Sequence, residues 1–334
     1  MKTLHDINFD LRGKYVLLRC DFNVQIRNGR VVDGFRIDAS KPTIDFLTSR
    51  GARVVICAHL GRPTGPDMAL SLRPVAQYLG AKFYPDALDK PVLENGQVAL
   101  LENLRFHAGE EKNDADFAHV LATGFDIYVD DAFAVTHRAA ASNVGVTKFL
   151  PSFAGLLLES EINHLTGVMK NPARPLVAIV GGSKIDTKLA VLESLSHIAD
   201  TLIVGGLLGL QKFNVRGGAK IIRPIDKIHN ADGSVMDEGL DTIAEYSRAI
   251  AGAKTILWNG TLGAAEHGFP DGTRAVALAV ADSGAVTIIG GGDTAAALEM
   301  FGLSDKMTYI STGGGAFLEF IEGKKLPGIA AIPS

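Results

Sequence analysis

The sequence predicts an α/β protein made of two doubly wound, Rossmann-like parallel-sheet domains. Three observations carry this expectation. Short apolar runs recur along the chain, and each is continuously apolar rather than alternating, as a parallel strand covered on both faces requires. A turn signal and then a helical pattern follow most runs, the alternation that builds parallel sheets. The chain has 334 residues, which at about 150 residues per domain suggests two domains.

In order, the first four runs are Tyr15–Arg19 (YVLLR), Arg53–Cys57 (RVVIC), Val98–Leu101 (VALL) and residues 127–129 (IYV). The second set is Leu176–Val180 (LVAIV), Thr201–Val204 (TLIV), then residues 255–258, 286–289 and 307–310. Helical patterns cover residues 183–198 and 239–251, among others. Between the two sets, residues 159–169 place Ile162, Leu165 and Val168 at helical spacing before Asn171-Pro172-Ala173-Arg174-Pro175 ends the helix. The expected division is a domain over residues 1–155, a joining helix over 156–172, and a second domain over 173–321.

Composition narrows the function classes. With 47% hydrophobic and 21% charged residues the chain has ample material for a core, so disorder is excluded as its main state. Lys and Arg number 33 against 37 Asp and Glu, a net charge of -4 that argues against a nucleic-acid partner. No run approaches the ~18 uncharged apolar residues of a membrane span. The opening residues, MKTLHDINFDLRGKY, lack the apolar stretch of a signal peptide. Cys20 and Cys57 lie inside apolar runs, so buried reduced thiols in a cytoplasmic protein are expected rather than a disulfide.

The two halves end their strands differently. Residues 1–150 hold 11 of the 16 arginines, and Arg36, His59, Arg62, Arg105 and Arg138 all follow strands. Ligands of open parallel sheets bind beyond the carboxyl ends of the strands. These five could therefore converge on one cleft for phosphate and carboxylate groups, or be separate surface cations. The second half presents glycines instead: Gly181-Gly182-Ser183-Lys184 with Lys188 a turn later, Gly205-Gly206, Gly290-Gly291-Gly292-Asp293-Thr294 and Ser311-Thr312-Gly313-Gly314-Gly315. Glycines that open a helix expose amides suited to phosphate, though a lone triplet is as readily a tight turn. Asp293 could hold Mg²⁺ bridging phosphate oxygens. Gly-x-x-x-x-Gly-Lys-Ser/Thr is absent, and no Gly-x-Gly-x-x-Gly follows the first strand of either half. A P-loop and a dinucleotide fold of that kind are therefore not expected.

The stretches RCDFNV (19–24), FRID (35–38), HLGRP (59–63), LLENLRFHAGEEKND (100–114), AIVGGSKIDTKL (178–189), IIGGGDTAAAL (288–298) and STGGGAFLEFIEGKKLPG (311–328) resemble the phosphoglycerate kinase family, in its order and over nearly the whole chain. The resemblance implies two domains joined by a helix and hinge, with residues 322–334 returning to the first. It implies phosphoryl transfer between 1,3-bisphosphoglycerate and ADP, giving 3-phosphoglycerate and MgATP, by a monomer of glycolysis. Carried over by motif, Asp21, Phe22, Asn23, Arg36, His59, Arg62, Arg105 and Arg138 would bind 3-phosphoglycerate. Gly182, Lys184, Lys188, Gly206, Asn259, Glu266, Gly291, Gly292, Asp293 and Thr294 would bind the nucleotide, with Asp293 on Mg²⁺ and Glu266 facing the ribose. Arg36, Lys188, Gly292 and Gly315 would be the catalytic groups, with the amides of Gly291 and Gly314 beside them. A non-catalytic relative and an enzyme for a related acyl acceptor are the other readings.

The chain also departs from the family pattern. Gly205-Gly206-Leu207-Leu208-Gly209 stands for Gly-Gly-Gly-Met-Ala, Thr261 for a proline, Ala265 for a phenylalanine and Asp130 for an asparagine. Only 51 residues separate Gly206 from Trp258, and residues 213–218 replace a helix and its loops. Residues 222–225 are expected as the next strand and residues 237–242 as the start of the next helix. The loss falls on the wall around the base, which predicts weak discrimination between ATP and GTP.

Overall fold

The computed structural model describes residues 1–183 and 188–334. The chain divides into two compact units, Met1–Ile162 with Lys325–Ser334, and Asn163–Lys324. The division falls inside the helix Leu156–Lys170.

The first unit is built on six parallel strands in the order Lys82–Tyr84, Val98–Leu101, Arg53–Cys57, Tyr15–Arg19, Ile127–Asp130 and Ser152–Ala154. Its apolar runs are continuous because successive side chains enter two different cores. Val16, Leu18, Val54 and Ile56 pack on one face, and Leu17, Val55, Ala99 and Leu101 on the other. The last residues belong to this unit: Lys2 donates its amide to the Pro333 carbonyl at 2.6 Å, and Gly328 donates to that of Thr136 at 2.9 Å.

The second unit has six parallel strands in the order Lys220–Ile222, Thr201–Val204, Leu176–Val180, Thr255–Asn259, Val286–Gly290 and Tyr309–Ile310. In chain order that is 3-2-1-4-5-6, whose direction reverses between Leu176–Val180 and Thr255–Asn259, the place where such sheets bind ligands. Val177, Ile179, Ile203, Ile256, Trp258 and Ile289 share one core.

Both expected sheets are present, and four details differ from the sequence reading. The strand expected over 222–225 is Lys220–Ile222, because Pro224 has no amide to continue the pairing. Asp237 and Glu238 do not start a helix. They end Val235–Glu238, which pairs antiparallel with Lys227–His229. The helix is Leu240–Ala251, capped by Asp226, whose carboxylate accepts the Thr242 and Asp241 amides at 2.8 and 3.2 Å. The last strand is only Tyr309–Ile310, and the helix expected from residue 183 is described as Leu189–Ile198.

Cys20 and Cys57 are buried free thiols, and burial pushes the Cys57 thiol up to about 12. Among the described residues no helix is long and apolar enough to cross a membrane.

Trp258 is the chain's one tryptophan, fully buried opposite Ile179 in the register. It therefore reports on this core. Ile179→Ala removes buried methylenes from it and is expected to lower stability by about 2–5 kcal/mol. Urea unfolding followed by Trp258 fluorescence measures the loss, and a cost below about 1 kcal/mol would mean the site collapses without a cavity.

Candidate active site

In the first unit the strand ends bring most of the predicted cations together around His59. Arg19, the last residue of its strand, is 2% exposed. Its Nε donates to Ser142 Oγ at 2.8 Å, one terminal nitrogen bonds the Cys20 carbonyl, and the other lies 3.2 Å from His59 Nδ1. A guanidinium only donates, so Nδ1 must accept, and the His59 proton sits on Nε2. Burial pushes His59 down to about 3; Arg19, Arg105 and Arg36 add to this against Asp21. The ring is therefore a neutral Nε2–H donor.

Arg36 donates to Asp21 Oδ2 at 2.7 Å, and Asp21 Oδ1 accepts the Asn23 amide at 3.1 Å. Burial alone would raise the Asp21 carboxyl; the Arg36 guanidinium, the Asn23 amide and Arg19 outweigh it and hold the group below its usual range. Asn23 Oδ1 accepts the Gly61 amide at 2.9 Å, and Arg105 donates to the Gly61 carbonyl at 2.6 Å. The HLGRP loop is thereby tied to both neighbouring strand ends. Arg62 and Arg138 are exposed, and Arg138 is close enough to Arg105 to act on its charge. Phe22 is the exception among the predicted groups. Its side chain is fully buried in the core, so only its main chain is available to a ligand.

Sequence reasoning missed the supports beneath these groups. Arg19 lay in the RCDFNV stretch without a role. Glu110, 2% exposed, accepts from the Ser142 hydroxyl at 2.6 Å and its amide at 3.0 Å, with Arg19 at 4.0 Å. Asn103 donates to the Leu60 and Leu70 carbonyls at 2.7 and 2.9 Å, and its Oδ1 accepts the Arg105 amide at 3.1 Å. Asp130 accepts the Ala132 amide at 3.0 Å, and burial raises it to about 6.

In the second unit Lys188 sits at the reversal of the sheet. Its Nζ donates to the Gly181 carbonyl at 2.8 Å and to Asn259 Oδ1 at 2.7 Å. Burial pushes its ammonium down to about 8, and Asp293 acts the other way. The Gly260 amide donates to Thr294 Oγ1 at 2.8 Å. Gly260 has φ +97° and approaches the Gly181 carbonyl too closely to admit a Cβ. Gly291, with φ +96°, caps the helix Gly292–Met300, which starts inside the glycine triplet. Asp293 lies exposed in its first turn. The Leu208 amide donates to the Gly182 carbonyl at 2.9 Å, and Gly206 lies close enough to that carbonyl to crowd any Cβ. Gly315 opens the helix Gly315–Ile321. Lys184 and the side chain of Glu266 lie outside the described residues.

A cavity of about 240 Å³ opens beside these groups, lined by Gly182, Gly206, Leu207, Met236, Leu262 and Asp293 among others. Leu210, at the start of the shortened segment, also lines it. Arg223 holds residues 211–213 through the Gln211 and Phe213 carbonyls at 2.9 and 3.2 Å, and the strand Val235–Glu238 supplies a wall.

The family model for phosphoglycerate kinase matches residues 4–221 and 209–324. The chain belongs to the phosphoglycerate kinase family. The two matched stretches meet at the shortened segment. Phosphoglycerate kinase from Borreliella afzelii is 41% identical, with 99% of each chain covered, and that from Synechococcus sp. 43%, with 99% of this chain and 98% of the relative. Those alignments run to 390 and 402 positions, against 334 residues here. The structure of phosphoglycerate kinase from Coxiella burnetii superposes with a TM-score of 0.83 at 39% identity over 97% of each chain. That from Pyrococcus horikoshii gives 0.89 at 29% identity, over 99% of this chain and 98% of the other. The family is one of transferases acting as kinases.

His59 is expected to stay neutral, with its proton on Nε2, down to about pH 5 in the folded protein. Its contribution to stability is full above its ordinary value of 6.5 and is lost as pH falls from there toward about 3, because the unfolded chain binds the proton first. A nitrogen-detected NMR titration reads the ring directly, and a midpoint near pH 6.5 would contradict the buried arrangement.

Proposed function

We propose that the chain catalyses the reversible transfer of a phosphoryl group between 1,3-bisphosphoglycerate and ADP, giving 3-phosphoglycerate and ATP, as an enzyme of glycolysis and gluconeogenesis. One observation supports this above the others. The groups such a transfer needs are held in place by the protein's own atoms: Arg36 by Asp21 in one unit, and Lys188 by Gly181 and Asn259 in the other.

The roles follow from chemistry. The arginine cluster and the His59 Nε2–H suit the carboxylate and phosphate groups of a phosphoglycerate, with Arg62 and Arg138 as its exposed arms. The Gly182–Gly206 contact, Asn259 and the Gly291–Gly292 helix start suit the nucleotide, and Gly314 and Gly315 supply further amides. The acceptor carboxylate is itself the nucleophile, so no general base is required. Positioning and cancellation of charge on the equatorial oxygens carry the reaction, and Arg36, Lys188, Gly292 and Gly315 are the groups for that. Lys188 remains largely protonated at neutral pH with its value at about 8.

The residues fit Mg²⁺ bound through the nucleotide rather than in a protein cage. Asp293 is one exposed carboxylate at a helix start, and among the described residues no group of three or more His, Cys, Asp or Glu could hold a metal. When bound there, Mg²⁺ neutralises phosphate charge. The working assignment is a 3-phosphoglycerate-binding domain over residues 1–155 and a nucleotide-binding domain over 173–321. A hinge near 156–172 would bring donor and acceptor together away from water. The protein would act as a cytoplasmic monomer.

A coupled assay with 3-phosphoglycerate and MgATP tests the activity. Arg36→Ala is expected to lower kcat by about 10³-fold while the acceptor's KM changes less, as for an arginine acting on the transferring group. A variant keeping more than about a tenth of kcat would remove Arg36 from that role. Asp293→Asn is expected to cripple MgATP use and leave 3-phosphoglycerate binding intact. Calorimetry decides: a loss above about tenfold, or about 1.4 kcal/mol, in 3-phosphoglycerate affinity would contradict the division of labour.

A further inference from the structure

We propose that Glu238 determines nucleotide specificity, its carboxylate accepting N–H donors from the edge of a purine base and favouring guanine over adenine. The proposal rests on reading the 240 Å³ cavity as the nucleotide site. Glu238 lines that cavity and is 4% exposed. Its Oε1 accepts the Gly206 amide at 2.6 Å, which fixes the carboxyl group against the glycine turn. Oε2 makes no hydrogen bond with any described residue. Oε2 keeps some solvent access in this cavity-lining residue, which leaves it able to take a donor from a ligand.

The surroundings supply no substitute. The charges acting most strongly on Glu238 are those of Asp237 and Asp226, which oppose its ionisation, and Lys227 acts least. Burial and these neighbours push the group up to about 7. Both Asp237 oxygens are already engaged, accepting the Glu238 and Gly272 amides at 2.9 and 3.0 Å, so of the two carboxyl groups only Glu238 has an oxygen with no donor among the described residues. Leu207, Leu210, Met236 and Leu262 give the same cavity apolar surface suited to the faces of a flat base.

The base edges differ in what they offer a carboxylate. Guanine presents N1–H and the N2 amino group side by side, and both carboxylate oxygens keep lone pairs to accept them, Oε1 alongside its bond to Gly206. Adenine offers one amino group next to a lone pair on N1, which the ionised carboxylate repels, so the preference for guanine belongs to the ionised form and fades as the group protonates. A site with a fixed acceptor rejects the base lacking the matching donors more firmly than an apolar site would.

The test is calorimetry of GDP, ADP and IDP with the full chain at about pH 8.5, above the titration of the carboxyl group. Wild type is expected to bind GDP at least threefold more tightly than IDP, which lacks the N2 amino group. Glu238→Gln, whose amide can donate to adenine N1, is expected to lower the ratio of GDP to ADP affinity at least threefold, with 3-phosphoglycerate affinity unchanged. A smaller change in that ratio, tighter binding of ADP than of GDP to wild type, or equal binding of GDP and IDP to wild type, overturns the proposal. The wild-type arm keeps the test decisive should the variant fail to fold. If wild type binds no nucleotide, the proposal and the nucleotide reading fall together. If it binds nucleotides but makes no ADP from MgATP and 3-phosphoglycerate, only the transfer reading falls.

Discussion

A parallel sheet brings the carboxyl ends of all its strands to one edge, and that edge must satisfy its own backbone groups before it can hold a ligand. Buried peptide groups without partners are too costly to leave. In both units the same side chains that answer this demand also prepare the site. Lys188 takes up the Gly181 carbonyl, and Thr294 receives the Gly260 amide, at the reversal of the second sheet. Asn103 satisfies two carbonyls of the loop after the Arg53–Cys57 strand. Asp131, buried next to the Ile127–Asp130 strand, accepts the Leu157 amide at 2.9 Å and so caps the helix Leu156–Lys170. Burial raises Asp131 to about 7, so near neutrality the cap is shared between charged and neutral forms.

Charge sets the second condition in the first unit. Several guanidinium groups near one another repel, and with no anion bound the cluster must be held by its own carboxylates. Arg19 could not be buried without Glu110, Ser142 and the Cys20 carbonyl. Neutral His59 lowers the total charge while remaining a donor, and Asp21 is committed to Arg36. The exposed cations, Arg62 and Arg138, are those the described framework does not hold. The cluster therefore combines a hydrogen-bonded base with exposed arms, an arrangement that leaves mainly the arms to lose rotamer freedom on binding.

The strands were legible because their signal is local. Val16, Leu17 and Leu18 enter alternate cores and so must all be apolar, whichever residues they meet. The edge strands Lys82–Tyr84, Ser152–Ala154 and Lys220–Ile222 were harder: at three residues each, they have too few positions for a pattern, and their pairing is decided by the neighbouring strand. At the site, glycines and cations could be placed at strand ends from the chain alone. Their partners could not, since Arg19 meets Ser142 across 123 positions and Lys188 meets Asn259 across 71. The misplacement of Asp237 and Glu238 has the same origin. The acidic residues before Leu240 look like a helix start, but Asp226, from beyond the hairpin, supplies the cap.

That misplacement matters for how a shortened chain keeps a cavity beside Gly206. Residues 213–218 run as an irregular loop. Glu193 receives the Arg216 amide at 2.8 Å, and Arg223 stacks on Phe213 at 3.9 Å. A loop held in this way covers little surface, so the cavity wall has to come from elsewhere. The hairpin Lys227–His229 with Val235–Glu238 provides it, because Gly206 and Glu238 are joined directly by a hydrogen bond. The substitute wall differs in chemistry from a purely apolar one. It sets a carboxyl group against the glycine turn, in the half of the molecule where bare amides otherwise dominate. Removing chain therefore does not simply weaken the pocket. It changes what lines the cavity, setting a fixed polar group where apolar surface alone would otherwise be buried.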